Sequence, residues 1–384
     1  MKIAIVGGGP AGLFLGRLIR RNDPSIEIDI FEQNPEKATY GFGVTLAGDA
    51  RQRLANIDAE VIQRLSERMV FNTVQGISLQ DERLLLRYAN SGGAIERLQL
   101  LEVLGELCRD VGLEVQYGKR IDSEADLAEY DLVVGADGAN SAVRGLWENS
   151  FRPRHRLLGN RFAWYGVNKA LMPNALSFRN ADGGCYIGHY YAYTADKSTF
   201  VAECDARTWT ECGFDRMSDD ERKARIEQIF DIELEGEKLQ ENKSVWRQFD
   251  AITVENWHHG KAVLIGDALR VAHFSIGSGT RLAMDDALAL FEAIVEHGSD
   301  IEALKASYVE RRKPTRDLFT VATVKSFEWY EDVRQHMHTD LADFAHAFLK
   351  RTGRVDDERL KTYAPEFHYR YIARQAAEQS AVTK

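Results

Sequence analysis

Lys2-Ile3-Ala4-Ile5-Val6-Gly7-Gly8-Gly9-Pro10-Ala11-Gly12 opens the chain, and Ile26 to Phe31, closed by Glu32, completes the unit it begins. The β-branched apolar run before the glycines predicts a buried strand, and Leu13, Leu15, Leu18 and Ile19 continue as a helix. The second apolar run is the next strand, so the opening reads strand, turn, helix, strand. Gly7-x-Gly9-x-x-Gly12 lies on the turn: Gly7 allows the tight bend, Gly9 lets backbone approach a pyrophosphate, and Gly12 lets helix and strand pack closely. Pro10 and Ala11 start the helix, whose free N–H groups and dipole favour an anion. Glu32 stands twenty residues beyond Gly12, where a carboxylate accepts hydrogen bonds from an adenosine ribose, with Gln33 beside it. The unit predicts a bound dinucleotide and leaves FAD or NAD open.

A length of 384 residues exceeds the ~250 to 300 at which single cores stop growing, so two lobes are expected. With 44% hydrophobic and 28% charged residues, the composition leaves no large disordered fraction. A net charge of -10 argues against nucleic acid as a partner, because phosphate contacts need a basic face. Cys108, Cys185, Cys204 and Cys212 form no CxxC pair, and they read as reduced thiols. His258-His259 and His336-x-His338 lack further spaced ligands, so no metal is expected. There is neither a signal-like segment nor an apolar stretch of the ~20 residues that a membrane span needs, which gives a cytoplasmic expectation with no membrane partner.

Further along, Val70 to Leu79, Leu84 to Tyr88, Leu113 to Tyr117 and Asp131 to Val134 read as strands, and Arg97 to Val111 as a helix. Short aromatic and β-branched runs, Phe162 to Tyr165, Cys185 to Tyr193 and Ser198 to Cys204, predict an inserted antiparallel sheet. Residues 218 to 231 are predicted helical, Val263-Leu264-Ile265 a strand, and Leu282 to about Leu349 long helices, with the polar last dozen residues frayed. The expected class is α/β, α+β overall: a Rossmann-like βαβ cofactor domain (1–69, 97–150 and 256–325), an inserted antiparallel substrate domain (70–96 and 151–255), and a C-terminal helical region (326–384).

Two more glycine-acid motifs follow strands: Gly135-Ala136-Asp137-Gly138-Ala139-Asn140-Ser141-Ala142-Val143-Arg144 and Gly266-Asp267-Ala268. With the opening fingerprint, in this order and at this spacing, they make the chain similar to the class A flavin-dependent aromatic hydroxylases over nearly its whole length. Trp257-His258-His259-Gly260, Ala272 to Thr280, Leu282-Ala283-Met284-Asp285-Asp286-Ala287, Ser198 to Cys204 and Gly41-Phe42-Gly43-Val44 resemble one branch of that family. That branch contains the salicylyl-CoA and 2-aminobenzoyl-CoA hydroxylases and the tryptophan-derived hydroxylase of violacein biosynthesis.

The resemblance implies bound FAD and transient NADH or NADPH; no second nucleotide fingerprint chooses between these two. Asp267 would serve the ribityl chain or diphosphate, Asp137 and Gly138 both cofactors, and Gly43 the flavin. Arg97, at its helix start, matches an arginine aimed at the flavin. Gly277, Gly279 and Thr280 begin the long helix whose N-terminus would face the flavin's pyrimidine end. Where the family has Ala-Ala-His and a proline, this chain has Ala268-Leu269-Arg270 and Ser275, so nothing borrowed from that histidine carries over. The implied reaction is hydroxylation of an electron-rich ring through a flavin C4a-hydroperoxide formed with O₂.

Substrate candidates are Trp164, Tyr165, His189, Tyr191, Tyr193 and His273; alternation puts His189, Tyr191 and Tyr193 on one strand face. His273, Phe274 and Arg97 are the candidates nearest the chemistry. Arg152, Arg154, Arg156 and Arg161 form a basic patch suited to CoA phosphates, so the expected partner is an aromatic acyl-CoA or a small free aromatic such as an indole or tryptophan type. A non-oxygenating flavin reductase and a flavin-bound sensor are the competing readings. A monomer or homodimer is expected.

Overall fold

The computed structural model describes residues 1–39, 41–46 and 48–382. Two sheets organise it. The first runs His258–His259, Ala262–Leu264, Leu132–Gly135, Lys2–Val6, Glu27–Glu32, Val115–Tyr117, and all its pairs are parallel except the terminal His258–His259 hairpin. Parallel strands covered on both faces need side chains that are apolar without alternation, and Ile3, Ile5, Val133, Val134, Val263 and Leu264 are all buried. Lys2–Val6 has the following strand on one flank and a much later one on the other. The chain therefore reverses direction across the sheet at Gly7, which is where open α/β sheets leave a crevice.

The second sheet has nine strands. Its register aligns Trp164, Val201, His189 and Leu176 as one row across four neighbouring strands. Behind it, Tyr165, Tyr186, Phe200, Phe214 and Phe230 form a separate core, because successive residues of a strand point to opposite faces. The edge strand Gly43–Leu46, from the first segment of the chain, pairs with Glu82–Glu96 in this sheet.

The α/β class is as expected, with two local differences. The inserted sheet is not antiparallel throughout, because Asn174–Ala181 pairs parallel with Val70–Leu79 and antiparallel with Gly184–Ala192. The polar end of the chain is helical over Pro365–Val382, because Phe367 packs into the C-terminal core and Tyr371 stacks on His346 at 4.1 Å. No helix among the described residues is long and apolar enough to cross a membrane.

Candidate functional site

A single cleft of about 1270 Å³ joins the crevice of the first sheet to the row face of the second. It exceeds the ~300 to 1,000 Å³ of ordinary ligand pockets, so it has room for more than one ligand.

At the first sheet, Gly7 has φ +119, and a Cβ at Gly12 would collide with the Gly7 carbonyl oxygen, so both positions require glycine. The helix Pro10–Asn22 starts at Gly9 with no side-chain cap and no acid in its first turn, leaving N–H groups aimed at the cleft. Glu32 is oriented by three donors: Gly8 N–H at 2.9 Å, Asn34 N–H at 2.8 Å and Asn34 Nδ2 at 2.6 Å. Asp137 accepts from Val143 N–H at 3.1 Å, while its Oδ1 is buried without a hydrogen-bond partner. Burial raises the pKa of this carboxyl, with Ser141 and the Val143 N–H opposing. A second uncapped helix, Gly279–His297, also begins at the cleft, where Gly277, Gly279 and Thr280 line the wall.

Asp267 is exposed to the cleft, and the density of protein around its carboxyl raises its pKa, with Arg316 and Arg97 opposing. Arg97 also lines the cleft; its guanidinium makes no ion pair among the described residues, and burial lowers its pKa against the pull of Asp267 and Tyr191. The loop bearing Asp267 is held from behind by a buried charge cluster that the sequence reading missed. Asp286 accepts Gly266 N–H at 2.9 Å, Arg312 Nε at 2.6 Å and Arg316 Nε at 2.9 Å. Its only sequence signal is Asp285-Asp286 in the branch-like motif. Arg270, in place of the family histidine, points away from the cleft, donating to the Arg316 carbonyl at 3.2 Å and to Thr320, and Leu269 is core. Here the departure from the family serves packing.

Across the cleft stands an aromatic wall of Trp164, His189, Tyr191, Phe249 and Phe274. Phe249 carried no motif and was not anticipated. Tyr191 Oη donates to the Gly43 carbonyl at 2.7 Å, and Gly43 N–H donates to Thr199 Oγ1 at 2.9 Å, so the start of the edge strand Gly43–Leu46 is tied across the face of its own sheet. Burial pushes the Tyr191 phenol up to about 12. His189 is joined to Glu203, Nε2 to Oε2 at 3.1 Å, and Asn160 Nδ2 donates to the other Glu203 oxygen at 2.7 Å. Glu203 is only 1% exposed, and the strand's apolar look hid it.

Three expected substrate residues are not on the wall. Tyr165 faces the opposite core, where it accepts from Trp246 Nε1 at 3.0 Å, because neighbouring strand residues alternate and Trp164 takes the cleft side. Tyr193 lies behind the Gly43 backbone, where a Cβ on Gly43 would strike its ring. His273 is 3% exposed and sits behind Phe274, rings stacked at 4.2 Å; its Nδ1 accepts Ser275 N–H at 3.2 Å. Burial pushes the His273 pKa down to about 4, with Glu203 opposing.

The expected basic patch also lies elsewhere. Arg152 and Arg154 pair with Glu255 at 3.2 and 3.0 Å, Arg156 with Glu328 at 3.1 Å, and Arg161 packs over Trp209; none lines the cleft. Strand alternation and the acids of neighbouring elements disperse what the linear sequence concentrates.

The family model described as FAD binding domain matches residues 61–321. The chain is 33% identical over 92% of its length to a salicyloyl-CoA 5-hydroxylase from Streptomyces sp, covering 70% of that protein. It is 32% identical to the protodeoxyviolaceinate monooxygenase of Chromobacterium violaceum, over 91% of this chain and 94% of that one. A 3-hydroxy-4-methyl-anthranilyl-[aryl-carrier protein] 5-monooxygenase from Streptosporangium sibiricum matches at 32% over 82% of this chain and 84% of that one. The fold matches 2-methyl-3-hydroxypyridine-5-carboxylic acid oxygenase with a TM-score of 0.72 at 17% identity, covering 91% of this chain and 95% of the other.

Proposed function

The chain belongs to the FAD binding domain family of flavin-dependent monooxygenases, and from that membership we propose that it hydroxylates an electron-rich aromatic ring borne as an acyl thioester, consuming O₂ and NADH or NADPH. The observation that carries this reading is one continuous cleft with a dinucleotide-shaped half and an aromatic half.

The residues present fit FAD. The orphaned Asp137 Oδ1 and two uncapped helix starts await partners, and no atom lies within 4 Å of a Cβ built on Gly138 or Gly279. In this reading Gly7, Gly9, Pro10, Ala11 and Gly12 hold the diphosphate, and Glu32 with Gln33 the adenosine ribose. The Asp137 and Asp267 carboxylates would accept from ribityl hydroxyls, the backbone at Gly138 and beside Asp267 would face the diphosphate, and Gly43, Gly277, Gly279 and Thr280 the ring end. Bound flavin supplies electron transfer and oxygen activation. Arg97 offsets negative charge at the reduced ring system. Trp164, Tyr191, Phe249 and Phe274 exclude water and hold a flat substrate. His189, with Glu203 behind it, accepts the proton of a ring hydroxyl, which makes the ring a better nucleophile. Phe274 contacts substrate, and His273, Tyr165 and Tyr193 support the wall from behind.

The thioester is favoured because two of the relatives carry a thioester-borne substrate in their names. The match to protodeoxyviolaceinate monooxygenase favours a free indole-type ring as the second reading.

The test is oxygen consumption and product mass with the holoprotein and NADH or NADPH, offering salicyloyl-CoA, 2-aminobenzoyl-CoA, the free acids and indole-type compounds. A thioester product with one added oxygen is expected. Oxidation of the nicotinamide without oxygen incorporation for any ring would replace the monooxygenase reading with a reductase, and faster turnover of a free ring would replace the thioester.

A further inference from the structure

The two ends of the cleft differ in charge. In the dinucleotide half the carboxylates Glu32, Asp137 and Asp267 stand among the cations Arg97, Lys119 and Arg120. The far end, formed by Gln75, Tyr88 and Tyr363 with the loop after the helix Leu341–Lys350, contributes Arg351, Arg354 and Arg359 and no carboxylate among the described residues.

Acids are close by in the sequence, but each is engaged elsewhere. Asp356 caps the helix Asp357–Tyr363 by accepting Arg359 N–H at 2.8 Å. Asp357 binds His346 at 2.8 Å and Lys350 at 2.9 Å, and Glu358 pairs with Lys361 at 3.8 Å. The Arg354 and Arg359 side chains make no ion pair among the described residues. They are nevertheless positioned: Arg354 lies over the Phe319 ring at 4.0 Å, and Arg359 Nη1 donates to the Arg354 carbonyl at 2.6 Å. Arg359 and Tyr363 are four apart on one helix face, and the Tyr363 ring lies against Tyr88 at 4.6 Å. Arg351 anchors the loop, donating to the Ser275 carbonyl at 2.7 Å and to Ser326 Oγ at 3.1 Å. Arg354 and Arg359 are both exposed to solvent, and the protein around Arg354, then the neighbouring charge of Arg359, lowers the pKa of Arg354. Two neighbouring like charges, with Asp357 and Glu358 paired to other cations, are stabilised by an anion between them.

We propose that this end of the cleft is a phosphate site, in which Arg354 and Arg359 take the phosphate ester of a pantetheine thioester while the acyl ring lies against the aromatic wall. A guanidinium fork matches phosphate oxygens in bidentate fashion, and a groove running from aromatic residues to paired arginines suits a ligand that is flat at one end and anionic at the other. The inference rests on the thioester reading above, and it replaces the dispersed Arg152 to Arg161 patch as the place where phosphate is held. The phosphate of coenzyme A and that of a carrier-bound arm share this chemistry.

The test compares holoenzyme and the double variant Arg354→Gln/Arg359→Gln on salicylate presented as its coenzyme A, phosphopantetheine and pantetheine thioesters. Removing the phosphate should raise the wild-type KM by about tenfold or more at nearly unchanged kcat, the signature of uniform binding. The double variant should lose that discrimination while retaining its FAD and kcat. Its KM for the coenzyme A thioester should also lose the rise with ionic strength expected of the wild type. A larger gain for coenzyme A than for phosphopantetheine places nucleotide phosphates at the site; equal gains leave the arm's own phosphate as the ligand. If thioesters turn over but phosphate gives no advantage, or if the advantage persists in the double variant, the phosphate site is overturned and the thioester reading stands. If free salicylate outruns every thioester, the thioester reading itself falls, and this site with it. Arg359→Gln alone, which spares the Arg354 contact with Phe319, serves if the double variant folds poorly.

Discussion

His273, buried and stacked on Phe274, links protonation to stability. Its folded pKa of about 4 lies below the unfolded value of about 6.5, so the unfolded chain binds the extra proton first as pH falls. Stability is therefore complete above the unfolded value and declines as pH drops from about 6.5 toward 4, by up to roughly 3 kcal/mol for the full shift. The melting temperature of wild type should fall between pH 7 and pH 5 more steeply than that of His273→Gln; parallel profiles would remove His273 from the acid response. Tyr191 makes a simpler case. Tyr191→Phe deletes the donor to Gly43 and should cost about 1 kcal/mol in denaturant unfolding, with looser FAD retention because Gly43 loses one of its two side-chain ties to the sheet.

At the level of helices and strands, the uncapped start at Gly9 makes opposite predictions for the empty and loaded protein. Its backbone, at φ -80 and ψ 178, accepts any residue, and a Cβ there has space. Gly9→Asp should raise the melting temperature of the apoprotein slightly, by a few tenths of a kcal/mol for a better cap, while weakening FAD binding by repelling the diphosphate. A fluorescence titration of FAD into both apoproteins checks the second half; undiminished affinity would move the diphosphate elsewhere. Behind the other loop, Asp286→Ala leaves Arg312 and Arg316 buried without their acid. It should cost about 3 to 5 kcal/mol of stability, and chemical denaturation of the variant measures it. These elements also mark what could be read in advance. Gly7 and Gly12 were legible because backbone geometry restricts which residues that turn accepts, whereas Glu32 followed from fingerprint spacing and Asp267 from the family resemblance; both line the cleft. The Asp286 cluster and the His189–Glu203 pair were not, because each joins side chains of different elements, 14 residues apart for the pair and 26 and 30 for the arginines of the cluster, and periodicity within one element carries no trace of such a meeting. Tyr165 was misplaced for a related reason, since strand alternation separates faces but does not say which face meets the cleft; Tyr193 was misplaced because it follows the strand's end and the Gly43 backbone covers it.

Over the whole molecule, the lobes share segments, since Gly43–Leu46 leaves the first sheet's part of the chain to pair in the second. FAD binding at the seam should therefore stabilise both sheets together. Unfolding followed by tryptophan emission and by far-ultraviolet dichroism should show one transition that rises with free FAD, by about 2.7 kcal/mol at a hundredfold excess over Kd. Two transitions, only one of them responsive to FAD, would contradict such coupling. The row Trp164, Val201, His189 and Leu176 has a further consequence at this scale. Each of its members comes from a separate strand, and none belongs to the loops proposed for the dinucleotide. Trp164, Val201 and Leu176 are thus exchangeable singly, like dies in one press, and a single exchange should change which ring is accepted while FAD affinity holds.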